Sequence, residues 1–309
     1  MKEKNFISAV VYVHNNEDII ENFLKQLNDL LEKNFLKFEI IFVNDGSTDN
    51  SVEIIKEYSK KIDNVSISII NMSFYQGKEL AMNAGLDLAI GDFVYEFDSV
   101  LIDYDINTII DVYKKSIEGF DIVNASNKSK RRKTSRLFYK VFNKYSNYQY
   151  KIDSDTFRII SRRGINRMNS VNKIIPYRKA IEAGCGLKIT RVYYDSTYSK
   201  KNKIDKTLRK EREKNALDAL ILFTDVSYKA AIVLTFIMFL VTLFVISYVI
   251  GVFVLGHPIE GWTTMMLFLS FGFSGIFLIF AIIIKYLSII INLIFKKMYY
   301  LIESVEKVN

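Results

Sequence analysis

The sequence predicts an α/β domain built on a parallel sheet, followed by two membrane-crossing helices. Three observations predict it. Over the first 125 residues, short apolar runs alternate with amphipathic segments, the pattern of a parallel sheet covered on both faces. Polar clusters follow three of those runs, "HNNED", "NDGSTD" and "DSVLIDYD", and ligands of such sheets bind beyond the carboxyl ends of the strands. Finally, Ala230 to Gly256 and Gly261 to Ile284 carry no charged residue. Each run exceeds the roughly 20 residues that a helix needs to cross about 30 Å of hydrocarbon.

The elements follow in order. "FISAVVYV" is the first strand. Lysines precede it, as in a signal peptide, but Phe6 to Val13 is short for an apolar core. His14, Asn15, Asn16, Glu17 and Asp18 follow it instead of a small-residue cleavage site. The domain is therefore expected to stay on the cytoplasmic side. "EDIIENFLKQLNDLLEK" is an amphipathic helix. "FEIIFV" is a strand that runs into the turn "NDGSTDN". "SVEIIKEYSKKI" is a helix, with Asn50 and Glu53 spaced as a capping-box variant. "VSISII" is a strand, "GKELAMNAGLDLAI" a helix, "DFVYEF" a strand, "INTIIDVYKKSI" a helix and "FDIVNA" a strand. After Ala125 a basic stretch runs into the aromatic helix "SRLFYKVFNKYS". "TFRIISRRGINRMN" gives a strand and a helix start, and "AIEAGCGLKITRVYYDSTYSKK" contains a strand. "NALDALILFTDVSYK" is an amphipathic segment suited to a membrane interface.

Four regions result: residues 1–199 as the main domain, 200–229 as a basic juxtamembrane and interfacial segment, 230–285 as two membrane helices, and 286–309 as a tail. Charge sets the orientation. Lys200 to Lys214 is basic, the connector "HPIEG" has no Lys or Arg, and Lys285, Lys296 and Lys297 follow the second run. The positive-inside rule then puts both ends in the cytoplasm of a multi-pass cell-membrane protein. The net charge of +8 suits an anionic membrane surface. Because the bases cluster beside the membrane, nucleic acid is not an expected partner. The single Cys185 excludes an internal disulfide, fits a reducing compartment and reads as a packing residue.

The chemistry should sit at the strand ends. Asp45 can accept hydrogen bonds from the N–H groups of a nucleotide base, or belong to a plain strand–turn–helix cap. Gly46 permits a tight turn, and Ser47, Thr48 or Asp49 can cap the next helix. Asn15 and Glu17 carry the same two readings. Asp98 ends a strand and can hold a hard cation, since Mg²⁺ commonly takes one or two carboxylates and fills its shell with phosphate and water. Val100 cannot ligate. Asp103 and Asp105 could assist, or cap the next helix.

"VVYVHNNEDI", "FVNDGSTDNS", "GKELAMNAGLDLAIGDFVYEFDS" and the two uncharged runs resemble a family 2 glycosyltransferase. More closely, they resemble the polyisoprenyl-phosphate glycosyltransferases, relatives of dolichol-phosphate mannose synthase. "SRLFYKVFNKYS", "FRIISRR", "ALDALILFTDVSYK" and "KYLSIIINLIFKKMYYLIE" extend the likeness over nearly the whole chain. The resemblance implies a glycosyltransferase-A (Rossmann-like) fold and a nucleotide-sugar donor bordered by His14, Asn15, Glu17, Asn44, Asp45, Gly77 and Ser99. It also implies Mg²⁺ or Mn²⁺ at Asp98, the first Asp of a D-x-D motif. Here the motif departs: Val100 replaces the second Asp, and Ile102 stands where relatives often carry Gln. Asn127 stands near a usual Arg, beside Lys128, Lys130, Arg131 and Arg132, and the element before the membrane is reduced to "STYSKK".

The implied reaction is an inverting transfer to a polyprenyl phosphate such as undecaprenyl phosphate, serving cell-envelope glycan synthesis or modification. An acceptor phosphate with a second pKa near 6 is already largely dianionic at neutral pH, so the charge to stabilise is on the departing nucleoside diphosphate. Asp98 with its cation, Arg158 and Lys200 are the catalytic candidates. The Lys128–Lys133 cluster either helps them or attracts lipid headgroups. A processive polysaccharide synthase would carry Q-x-x-R-W, but the only tryptophan is Trp262, in the connector. A non-catalytic or weakly active membrane protein that keeps the fold for nucleotide binding or assembly is the alternative, and self-association as a homo-oligomer is left open.

Overall fold

The structure, a computed structural model, describes residues 2–62, 65–128, 133–146, 148, 150–171, 177–196 and 300–309, with scattered positions between 215 and 290. They form two compact units. One comprises Met1–Asn143, Tyr148–Asn215 and Lys297–Asn309; the other comprises Lys144–Asn147 and Ala216–Lys296. The second unit is helical at most of its described positions. The two uncharged runs lie largely outside the described residues, and among the described residues no helix is long and apolar enough to cross a membrane.

The first unit is built on one eight-stranded sheet. Its strands are β1 (Ile7–Val13), β2 (Phe38–Asn44), β3 (Ser66–Met72), β4 (Phe93–Phe97), β5 (Ile122–Asn127), β6 (Phe157–Ser161), β7 (Ile189–Tyr194) and β8 (Ile302–Lys307). They lie in the order β7-β5-β6-β4-β1-β2-β3-β8. Every residue of β1 and of β2 is buried, as expected of central parallel strands covered on both faces. Alternation divides their side chains. Ala9, Val11, Ile40, Phe42, Tyr95 and Phe97 pack in one core with α1 (Ile20–Asn34), α2 (Ser51–Ser59) and α4 (Thr108–Ile117). Val10, Ile41, Val43, Val94, Ile122 and Ile160 pack in the other, with α3 (Lys78–Leu88), α6 (Arg162–Val171), α7 (Arg178–Gly184) and Cys185. The aromatic helix is α5 (Lys133–Tyr145).

The α3 helix can lie close to the sheet because its inner face is small. A Cβ added at Gly85 would stand 2.3 Å from Val10 Cγ1 and 2.8 Å from Val43 Cγ2. Only a bare Cα fits between those two strands.

Three expectations change. The sheet is mixed: β6 runs antiparallel to β4 and β5, and β8 antiparallel to β3. An apolar run carries no mark of strand direction. The tail supplies β8, whose "IESVEK" is too polar to read as a buried strand but suits a sheet edge. The Asn50–Glu53 capping box does not form. Glu17, from the first loop, accepts the Asn50 backbone N–H (3.0 Å) and Nδ2 (3.1 Å), and Asp49 Oδ1 accepts from Ser51 N (3.1 Å). A contact distant in sequence replaces the local one.

Candidate functional site

The chain leaves β1 for β2 on one side and later returns to place β4 on the other. The crevice beyond the carboxyl ends of β1 and β4 is therefore the switch point at which such sheets bind ligands. Three segments meet there.

The first two are laced to each other. His14 Nδ1 lies 2.8 Å from the Asp45 carbonyl oxygen, and its ring packs on Tyr75 with centroids 4.6 Å apart. Asn15, at φ +52°, accepts from Thr48 N at 2.8 Å, and its own N–H donates to Ser47 Oγ at 3.1 Å. Asn44 Oδ1 accepts from Ser47 N at 3.0 Å, while Asn44 Nδ2 donates to Asn71 Oδ1 at 3.0 Å. His14, Asn15, Glu17 and Asn44 thus belong to one structured rim, with Asn15 and Glu17 exposed.

Asp45 sits under that rim with no exposed surface. Its carboxylate accepts from Tyr12 Oη (3.0 Å), Gln76 N (2.7 Å) and Gly77 N (2.9 Å). Burial raises its pKa against the pull of these bonds. Gly77, at φ +90°, is the residue before α3; that backbone is open to glycine at little cost. In the described geometry Asp45 ties the end of β2 to the start of α3.

The third segment is a charged cluster at β4. Asp98 Oδ2 lies 2.8 Å from Lys78 Nζ, on the first turn of α3, and Asp98 Oδ1 lies 3.2 Å from Arg178 Nη2, on α7. Arg178 also meets Glu96 Oε1 (2.6 Å) and Glu79 Oε2 (3.0 Å). Arg158 Nε donates to Glu96, Arg158 Nη1 lies 2.6 Å from Glu182 Oε1, and Arg158 Nη2 is 4.0 Å from Asp98. Arg158 and Arg178 are 3% and 1% exposed, so both guanidiniums act inside the protein. Burial works to raise the Asp98 pKa, but the charges of Lys78, Arg178, Arg158 and Lys179 outweigh it and hold the group far below the usual carboxylate range. Burial pushes the Glu182 carboxyl up to about 7, opposed by Arg158 and aided by Glu96.

The structure therefore joins Arg158 to Asp98 through a buried ion-pair network. Lys200 lies outside the described residues. Ser99 is exposed and accepts from Leu101 N at 3.2 Å. The expected cation shell does not assemble. Both Asp98 oxygens face side-chain cations, and Val100 is 2% exposed within the core. Asp103 accepts from Tyr194 Oη (3.1 Å), and Asp105 accepts from Asn107 N (2.9 Å) before α4. Among the described residues no group of three or more His, Cys, Asp or Glu could hold a metal ion. Among the described residues, the pairing of both Asp98 oxygens with side-chain cations, beside an apolar Val100, does not fit a divalent cation at this carboxylate.

Sequence reasoning missed Lys78, Glu79, Glu96, Arg178 and Glu182. A signal existed for one pair. Glu96 in "FVYEF" and Arg158 in "FRIIS" are lone charges within buried strands, and they face each other in register. Arg178 comes from a helix 80 residues from Asp98, with no local pattern to announce it.

The family model for Glycosyl transferase family 2 matches residues 8–168. The chain is 28% identical over 193 residues to the uncharacterized glycosyltransferase YkcC of Bacillus subtilis (strain 168), covering 60% of this chain and 59% of the relative. It is 33% identical over 190 residues to the prophage bactoprenol glucosyl transferase homolog of Escherichia coli (strain K12), covering 58% of each chain. These matches thus span less than two thirds of either relative's length. The fold is also that of the mannosyltransferase PcManGT from Pyrobaculum calidifontis in complex with GDP-Man and Mn²⁺. That likeness has a TM-score of 0.53 and 14% identity, and it covers 71% of this chain and 64% of that one. The architecture is the α/β glycosyltransferase-A fold with a mixed sheet.

Proposed function

The chain belongs to glycosyl transferase family 2, and from that premise we propose that it is a membrane-bound, inverting glycosyltransferase. It moves a sugar from a nucleotide-sugar donor to a polyprenyl phosphate such as undecaprenyl phosphate. The observation that carries the reading is the crevice itself: at the switch point of the sheet, the rim of residues 14–17 and 44–51 is tied through Asp45 to Gly77, the residue before the Lys78 that pairs with Asp98. The matched relative named as a bactoprenol glucosyl transferase homolog supports the lipid acceptor. Two uncharged runs flanked by lysines support a cell-membrane location with the catalytic domain in the cytoplasm.

The chemistry balances without an external base. An oxygen of the acceptor phosphate dianion attacks the anomeric carbon from the face opposite the diphosphate. The new bond joins that oxygen to the sugar, and the bond from the anomeric carbon to the diphosphate oxygen breaks. Its electron pair leaves with the nucleoside diphosphate, which gains one negative charge as the acceptor loses one. No proton need move, because the acceptor is already ionised at neutral pH.

The test is to incubate the purified full chain in lipid vesicles with undecaprenyl phosphate and, in turn, UDP-glucose, UDP-galactose, UDP-N-acetylglucosamine and GDP-mannose. Mass spectrometry should find the lipid heavier by one sugar residue with at least one donor. Nucleotide binding without any such product would overturn transfer and support the alternative of a fold kept for binding, a reading favoured by the ion-paired Asp98.

A further inference from the structure

If the donor reading holds, the crevice must meet the negative charge of a diphosphate. A divalent cation needs carboxylate oxygens with charge to spare, and Asp98 has none. One oxygen is 2.8 Å from Lys78 Nζ and the other 3.2 Å from Arg178 Nη2, with Arg158 at 4.0 Å. A dication placed on Asp98 would stand beside these cations and be repelled by them. Val100, folded into the core, offers no second ligand.

The same cluster holds a graded arrangement of positive charge. Arg158 and Arg178 are sealed inside, whereas the Lys78 side chain is 28% exposed. Lys78 opens α3, right after Gly77, whose N–H is fixed by Asp45. Its ammonium has three N–H donors, and Asp98 takes one of them. The positive end of the α3 dipole lies behind it, and that end favours an anion.

We propose that the cation opposing the donor's diphosphate is built into this chain: the Lys78 ammonium, seated by the Asp98 carboxylate that Arg178 also holds, takes the place of a divalent ion. Asp98 is then a positioning residue and not a metal ligand. Its carboxylate anchors Lys78 at the strand end, and Arg178 keeps that carboxylate ionised and fixed. Lys78 is the residue that touches the phosphates.

Calorimetric titration of UDP, GDP, CDP and dTDP into the purified full chain tests this, in EDTA and in millimolar Mn²⁺. The nucleotide that binds should do so with affinities within threefold in the two media. Lys78→Met should weaken it at least tenfold in EDTA, and Lys78→Arg should restore most of the loss. Lys78→Met leaves Asp98 paired with Arg178, so the fold is retained. Binding at least tenfold weaker in EDTA than in Mn²⁺ overturns the proposal alone, as does wild-type affinity in Lys78→Met. No binding of any of the four nucleotides in either medium overturns the donor reading itself, and this proposal with it.

Discussion

Arg158→Met tests whether the buried charges are a working frame. Removing one partner of a buried ion pair typically costs about 3–5 kcal/mol, because the remaining charge is left uncompensated. Two features of this network favour the lower end. Glu96 keeps Arg178 at 2.6 Å. Glu182, already pushed up to about 7, can take a proton once Arg158 is gone. The expected loss is therefore about 3 kcal/mol, or roughly two orders of magnitude in the opening equilibrium, at 1.4 kcal/mol per tenfold. The only cysteine supplies the assay. Cys185 is 3% exposed and directly follows α7, which carries both Glu182 and Arg178. Its backbone N lies 3.4 Å from the carbonyl oxygen of Glu182, so labelling of the thiol under native conditions reports opening of the helix end that carries the network. Arg158→Met should label about a hundredfold faster than wild type at pH 7, and adding Glu182→Gln should recover part of that. Labelling within threefold of wild type would refute the reasoning.

Three further outcomes are expected. Glu182 holds its proton in the folded chain up to about pH 7, against an ordinary value of 4.5. Its contribution is thus fully present below about pH 4.5 and lost as pH rises through 7, so Glu182→Gln should flatten the fall in melting temperature between pH 5 and 8; an unchanged slope would count against it. Gly85→Ala should cost about 1–3 kcal/mol by overpacking, read by Cys185 labelling, and combining it with Val10→Ala should cost less than the two changes separately; additive costs would show that the 2.3 Å approach is not the cause. Deleting Leu301–Asn309 removes β8 and the paired hydrogen bonds between Gln76 and Leu301 (2.7 and 2.9 Å). Exchange protection of β3 amides should then fall at least tenfold and nucleotide affinity severalfold; unchanged β3 protection would make the tail dispensable to the sheet.

The parts of the fold legible in the sequence were those written in local periodicity. The burial of β1 and β2 and the amphipathic α1 follow from spacing alone. The loops after β1 and β2 were legible as candidates because polar residues follow apolar strands there. What local pattern cannot carry is direction and partnership. The reversal of β6 rests on hydrogen bonds with β4 and β5, and β8 is a strand through its pairing with β3. Asp98 was found by position, but its partners were not. Lys78 and Arg178 stand 20 and 80 residues away, so the chemistry of that carboxylate depends on tertiary placement.

That dependence explains why a strand-end Asp can persist without a metal shell. Around β4 the described carboxylates are Glu79, Glu96, Asp98 and Glu182, and the cations that face them are Lys78, Arg158 and Arg178. Lys179 adds a further positive charge near Asp98 and Glu182. Carboxylates already met by fixed side-chain cations leave no negative excess for a dication to neutralise. The Arg178 guanidinium and the apolar Val100 fit together: a fixed cation enters from α7 to meet Asp98, and the next side chain but one is packed into the core. Val100→Asp alone should therefore destabilise the domain, because it adds a charge at a site 2% exposed within an apolar core.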